Sequence, residues 1–279
     1  MINNYIATKD VVAFSEAVNR LRAFFLDRGF KEVHTQDRLS ILAACEDPTT
    51  IATYDYAGER WPLPQTGQMW LEYELLRQPE LPGVFCVSTS YRNEKNPVPG
   101  RHEIIFPMFE FESKGELDDL RDLEIELCEQ LGFGDRDTFV HRSYDEAADH
   151  YATNDLTSQH ELQMHDEFGP VFFLEHFPVR TSPFWNMRKQ DDHAHKIDVI
   201  LCGMETIGSA ERSTDPEAMR RQFYTISDGK YSDLLFNHFG RQRVENELED
   251  FLSFNFFPRF GGGIGMTRMI RALQNVGSL

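Results

Sequence analysis

The stretch Glu103-Ile104-Ile105-Phe106-Pro107-Met108-Phe109-Glu110-Phe111-Glu112 leaves few architectures open to this chain. Its β-branched and aromatic residues predict a strand, and a period of two puts Phe106, Met108, Glu110 and Glu112 on one face. The opposite face, Ile105, Pro107, Phe109 and Phe111, is wholly apolar. Since the first face also begins with an aromatic ring, both need cover. Two carboxylates on such a face are costly to bury unless they meet something cationic or hydrogen-bonding. A second strand-like run, Val84-Phe85-Cys86-Val87, precedes Tyr91-Arg92-Asn93-Glu94 and a polar loop from Lys95 to His102. The whole predicts strand, long loop, strand: an antiparallel hairpin.

Near the other end runs Gly261-Gly262-Gly263-Ile264-Gly265-Met266-Thr267-Arg268, then helically spaced Met269, Ile270, Ala272 and Leu273. It reads as a glycine-rich turn entering a helix. Glycine lets the backbone approach a ligand, the helix start offers N–H groups, and Arg268 adds a cation: a nucleotide site in outline. Glycines also close turns, so the run alone does not decide the matter. From Lys196 to Arg212 an apolar strand is expected, with Asp198 and Glu205 near its two ends. Mg²⁺ commonly takes one or two carboxylates together with substrate phosphates. An acid at each end of a strand is, taken alone, more often a solvated pair. From Pro64 a helix is expected through Leu76. Gln65 and Gln68 in its first turn offer donors and acceptors suited to an ammonium group and a carboxylate, while Glu72 is either a pocket acid or a surface helix glutamate.

Taken together these blocks resemble the catalytic domain of class II aminoacyl-tRNA synthetases, in the branch holding the aspartyl and asparaginyl enzymes and ammonia-dependent asparagine synthetase. The family's second motif is matched by Arg92, Glu94, Arg101, His102, Phe106 and Glu112, and its third by Gly261 to Arg268, spelled most like asparagine synthetase. The resemblance implies bound ATP: adenine between Phe106 and Arg268, the α-phosphate on Arg92, the γ-phosphate near Arg101, His102 and Arg268, with Gly263 and Gly265 beneath. It implies Mg²⁺ on Asp198 and Glu205, and the amino-acid side chain at Arg212. Gln65, Gln68, Glu72, Glu110 and Glu112 are the remaining amino-acid-binding candidates, and Arg92, Arg268 and Arg212 the catalytic ones. Leu71 stands where aspartate-using members place a Lys, and the Gly-Gln-x-x-x-Glu form ending in Glu72 resembles the asparaginyl enzyme, whose Glu accepts from the substrate amide.

The fold so implied is α+β, an antiparallel sheet flanked by helices, as one domain over 1–279 without an anticodon-binding barrel. Helical spacing from Val11 to about Gly29 and a strand at Phe30 to Val33 resemble the first motif, the family's dimer interface, though Gln36 replaces its usual proline. A homodimer is expected. Further helices are expected at Leu117 to Leu131 and after Asp215, and a strand at Val171 to Pro178. Arg180, in the loop beyond, is a secondary candidate or simply a loop arginine with a salt partner.

With 28 Lys and Arg against 46 Asp and Glu, the net charge of −18 disfavours broad contact with a polyanion. The four cysteines, Cys45, Cys86, Cys128 and Cys202, lack metal-ligand spacing, and a cytosolic place is expected. No basic leader or membrane-length apolar run is present. His193 and His195 are expected to face solvent about an Asp-rich turn. The function expected is formation of an acyl-adenylate from ATP and an amino acid. Attack by ammonia on aspartyl-adenylate, giving asparagine, AMP and pyrophosphate, is the first reading. An asparaginyl-tRNA synthetase-like transfer of asparagine to RNA, a carrier or a small amine is the alternative, and a non-catalytic binding module is the third.

Overall fold

A computed structural model describes residues 10–35, 39–42, 48–98 and 103–279. Arg101, His102, Gln36 and Cys45 lie outside the described residues.

The chain opens with α1 (Val11–Asp27), started by Asp10, whose side chain accepts from the Ala13 N–H at 2.9 Å. Then come β1 (Lys31–Glu32), the small hairpin β2 (Thr53–Tyr56) and β3 (Glu59–Pro62), and α2 (Gln68–Arg77). The expected hairpin forms as β4 (Gly83–Tyr91) and β5 (Ile105–Lys114), paired from Gly83 against Ser113 to Tyr91 against Ile105. Next are α3 (Leu117–Leu131), β6 (Val140–Ser143), α4 (Tyr144–His150), α5 (Ser158–Phe168) and β7 (Val171–Pro178). The helix at Leu117 has the bounds the leucine spacing predicts, with Gly132 closing it at φ 91°.

The segment Lys196 to Arg212 is not one strand. It is a hairpin, β9 (His193–Leu201) and β10 (Met204–Glu211), preceded by the short β8 (Lys189–Gln190). Cys202 and Gly203, both at positive φ (50° and 79°), turn it in two residues, the geometry that follows strand twist. After α6 (Pro216–Thr225), α7 (Lys230–Phe239) and α8 (Arg241–Leu252), the glycine run forms not a turn but strand β11 (Arg259–Gly265), entering α9 (Met266–Asn275) directly.

The sheet runs β1-β4-β5-β11-β10-β9-β7-β6, with β8 beside β9. Its pairs are antiparallel except β1 with β4 and β6 with β7, which are parallel. One face packs on α1, α3 and α9. There Phe25 meets Phe30, Phe85, Phe109 and Phe111 at ring separations of 5.1 to 5.9 Å, so the apolar face predicted for β5 is buried in an aromatic cluster. On the other side, α6, α7 and α8 build a second core with Trp185 and Met69, leaving the middle of the sheet open between them. Among the described residues no helix is long and apolar enough to cross a membrane.

Candidate active site

The register of the central strands lays side chains out in rows. One row reads Cys86, Glu110, Gly263, Gly208, Asp198, and the next Val84, Glu112, Gly261, Ala210, Lys196. Each runs across β4, β5, β11, β10 and β9 with glycine or alanine in the middle; the first has an acid on either side, Glu110 and Asp198, and the second has Glu112 on one side and Lys196 on the other. Strands about 4.8 Å apart separate Glu110 from Asp198 by roughly 14 Å, a span floored by bare backbone. Above this floor is a cavity of about 370 Å³.

Why glycine is needed is clearest at Gly261. A Cβ there would overlap the Glu112 carboxylate and the Gln68 amide, and would lie 2.5 Å from the Phe111 carbonyl oxygen. At Gly263 it would meet Met108 Cε at 2.8 Å, whereas at Gly265 the nearest atom is Arg268 Cδ at 3.7 Å. Close approach, rather than a turn conformation, accounts for the run.

Arg92, Glu94, Phe106, Gly265 and Arg268 line the cavity at one end, and Gly263, paired with Glu110, lies in its floor. Arg92 leaves β4 with its guanidinium 5.5 Å above the Phe106 ring, and its N–H bonds the Ile104 carbonyl at 2.8 Å. Arg268, in the first turn of α9, donates to the Glu205 carbonyl at 2.6 Å and lies 3.8 Å from the Glu205 carboxylate. Arg92 and Arg268 thus face one space, as a shared anion site requires.

Gln65, Gln68, Glu72, Glu110 and Arg212 line the other end. Gln65 precedes α2 rather than sitting in it; its amide donates to Thr50 at 2.8 Å. Gln68 donates to the Phe111 carbonyl and to Glu112, at 2.8 and 2.5 Å. Glu110 accepts the Gly67 N–H and the Thr66 and Ser88 hydroxyls.

At this end one open choice is decided in favour of the pocket, that of Glu72, and the placements of Glu112 and Leu71 need correction. Glu72 is not a surface glutamate but fully buried, and both its oxygens are engaged: Arg259 donates from Nε and Nη2 at 3.0 and 2.6 Å, and Asn186 from Nδ2 at 2.6 Å. Glu112, also fully buried, lies behind Gly261, where it holds Arg212 through Nε and Nη2 at 3.3 Å each. Burial pushes its carboxyl up to about 7, against the pull of Arg212. Leu71 packs with Leu75, Val84 and Cys86 in the core, so it does not border the cavity.

Arg259, Asn186 and Lys196 are the residues the motif spacing missed. Arg259, wholly buried, interrupts the apolar run Phe256-Phe257-Pro258 to Phe260, which was a usable signal. Glu72 can only accept from the Asn186 amide, which therefore points its nitrogen there. Asn186 Oδ1 is buried and accepts no hydrogen bond in the structure.

Asp198 and Glu205 come together over Gly208, on adjacent strands. A Cβ on Gly208 would lie 3.3 Å from Glu205 Oε1 and 3.5 Å from Asp198 Oδ1, so the missing side chain leaves a cradle between two carboxylates. Two hard oxygen ligands and an open phosphate side fit Mg²⁺. Among the described residues no group of three or more His, Cys, Asp or Glu forms a metal cage.

Elsewhere, Arg180 pairs with Asp145 at 2.8 Å on the surface, outside the cavity. His193 directly follows the Asp191–Asp192 turn between β8 and β9, and His195 lies two residues on in β9, where it is only 14% exposed; they are paired with Asp145 and Glu211 at 2.8 and 2.7 Å. Cys86, Cys128 and Cys202 are free thiols.

The family model of class II tRNA synthetases (D, K and N) matches residues 5–279. An asparagine–tRNA ligase of Pelotomaculum thermopropionicum is 25% identical over 294 residues, covering 92% of this chain and 63% of the relative. An aspartate–tRNA(Asp/Asn) ligase of Methanopyrus kandleri is 25% identical over 281 residues, covering 91% and 61%. In fold, the chain is similar to the asparaginyl-tRNA synthetase from Pyrococcus horikoshii complexed with asparaginyl-adenylate, with a TM-score of 0.75, 21% identity, and 94% of this chain and 64% of that one covered. The chain spans less than two thirds of the length of each of these relatives.

Proposed function

The chain belongs to the class II tRNA synthetases (D, K and N), and we propose that it activates an amino acid with an uncharged amide side chain, asparagine, as its adenylate. The observation that carries the choice of side chain is the charge balance at the Arg212 end. Arg212 and Arg259 stand against Glu72 and Glu112, each guanidinium tied to a carboxylate. An aspartate side chain would bring an anion to a place whose cations are already matched, at a desolvation cost that nothing offsets. A carboxamide brings none. Its oxygen suits Arg212 and its N–H₂ suits Asn186 Oδ1, whose own nitrogen is committed to Glu72.

In this reading ATP lies along the floor with adenine on Phe106 and its phosphates toward Arg92 and Arg268. Glu110, Gln65 and Gln68 hold the substrate's α-amino and carboxylate groups. The substrate carboxylate attacks the α-phosphorus and pyrophosphate leaves. No general base is needed, because the nucleophile is already ionised; Arg92 meets the developing charge and the fixed floor supplies orientation. Asp198 and Glu205 would hold Mg²⁺, which neutralises phosphate charge when bound. Glu72 positions the Asn186 amide, and lies 3.8 Å from Arg212 Nε.

The names of the relatives support tRNA as the acceptor. The first sequence reading, aspartate with ammonia, is the weaker because it asks this end to hold an anionic side chain. Exposed Val11 and Val12 at the start of α1 support a homodimer through that helix. Pyrophosphate exchange with each amino acid, with and without ammonium, is the test. Asparagine-dependent exchange, indifferent to ammonium, is expected; exchange with aspartate alone would refute the proposal.

A further inference from the structure

Lys196 opens the segment that carries the metal-type carboxylates but has no role in the motifs, and it lines the cavity beside them. Its Nζ is 3.0 Å from Asp198 Oδ2, and the two side chains are only 12% and 10% exposed. The ammonium also sits 4.1 Å from the centre of the Phe177 ring, which fixes it from the outer side. Lys196 and Asp198 are two apart on β9, so they share the face of the sheet that carries the site.

The two oxygens of Asp198 are thereby divided. Oδ1 borders the cradle over Gly208, opposite Glu205, while Oδ2 is held by the ammonium. A cation seated in the cradle would share Asp198 with a resident positive charge a few ångströms away. Glu205 on its other side is approached by Arg268 at 3.8 Å. Each carboxylate that would ligate the metal thus has its own cation, which lowers the attraction that the two offer a divalent ion by themselves.

We infer that Lys196 makes metal capture conditional on the nucleotide: it holds Asp198 when no phosphate is present, so that the divalent cation binds weakly until a triphosphate adds its own oxygens. Lys196 acts through Asp198 as a positioning residue. This inference rests on the reading of Asp198 and Glu205 as the Mg²⁺ carboxylates.

The test is direct binding of Mn²⁺, followed by its paramagnetic resonance signal, to the nucleotide-free protein and then with ATP present. Lys196→Met keeps an unbranched stem against Phe177 and removes the charge; Lys196→Arg keeps a charge. Without ATP, Lys196→Met is expected to bind Mn²⁺ at least tenfold more tightly than the parent, and Lys196→Arg within threefold of it. Adding Asp198→Asn to Lys196→Met should abolish the gain. Equal affinities for the parent and Lys196→Met overturn the inference, and so does a gain shared by Lys196→Arg, which would mark a packing effect. If Asp198→Asn leaves Mn²⁺ binding unchanged even with ATP, the placement of the metal fails, and the inference with it. Amino-acid-dependent pyrophosphate exchange reports on the activation reading separately.

Discussion

Replacing Glu112 by Gln isolates the charge on which the choice of amino acid turns. Glu112 is fully buried, has Arg212 Nε and Nη2 at 3.3 Å, and has its carboxyl pushed up to about 7, chiefly by burial. Above pH 7 it is ionised, and in the cluster of Arg212, Arg259, Glu72 and Glu112 two cations face two anions. Below pH 7 it takes a proton, and the charge of that cluster rises by one. A unit charge about 6 Å from the substrate side chain, in an effective dielectric of roughly 20 to 50, is worth about 1 to 3 kcal/mol, or roughly 5- to 150-fold in discrimination. The preference for asparagine over aspartate, measured as the ratio of kcat/KM in pyrophosphate exchange, should therefore be greatest above pH 7 and fall as the pH drops through it. Glu112→Gln cannot titrate, so it should show a low, flat ratio from pH 6 to 8. Stability carries the same signature. The folded value lies above the ordinary 4.5, so this group's contribution is fully present below about 4.5 and is lost as pH rises through about 7. The Gln variant lacks that slope. A parent enzyme whose ratio is independent of pH, or a Gln variant that keeps the parent's pH dependence, would refute the argument.

The glycines of one run should differ sharply in their tolerance of a methyl group. Gly261→Ala forces a Cβ into the Glu112 carboxylate and to 2.5 Å from the Phe111 oxygen, and is expected to cost about 2 kcal/mol or more in denaturant unfolding. Gly265→Ala, with φ −69° and nothing nearer than 3.7 Å, should stay within about 0.5 kcal/mol of the parent. Leu71→Ala should lose about 2 to 5 kcal/mol of stability, as for any buried leucine, yet leave the asparagine-to-aspartate ratio unchanged, because Leu71 faces Val84 and Cys86 and not the cavity. A changed ratio in a still-folded variant would return Leu71 to the pocket.

The helices and the β4–β5 hairpin could be read from sequence because their signals are local. The leucines from Leu117 to Leu131 repeat at helical spacing, and Phe109 and Phe111 alternate with Glu110 and Glu112, so the element and its faces follow without knowing the neighbours. The glycine run reads as a turn because glycine's local preference is for turns; only the register against Glu110, Glu112 and Gly208 reveals that the missing side chains are the floor of a cavity. The Lys196 to Arg212 segment reads as continuous because Cys202 does not announce a turn at positive φ. That two-residue turn is what brings Asp198 beside Gly208 and within reach of the carboxylate of Glu205.

Roles, by contrast, depend on partners far away in the chain. Glu72 meets Arg259 across 187 residues, and Arg212 meets Glu112 across 100, so no spacing rule within either segment could show that both acids are already engaged. The consequence reaches the chemistry. Glu72, held by Arg259 on one side and Asn186 on the other, fixes which end of the Asn186 amide is left over. Because a carboxylate accepts and cannot donate, the leftover end is an oxygen, which suits an N–H₂ and repels a carboxylate. In the proposed reading, discrimination against aspartate falls to a buried salt bridge acting through a neutral amide. It would be strong for the reason that sites built to hydrogen-bond one group reject its analogue: the wrong ligand leaves a buried polar atom facing another of its own kind.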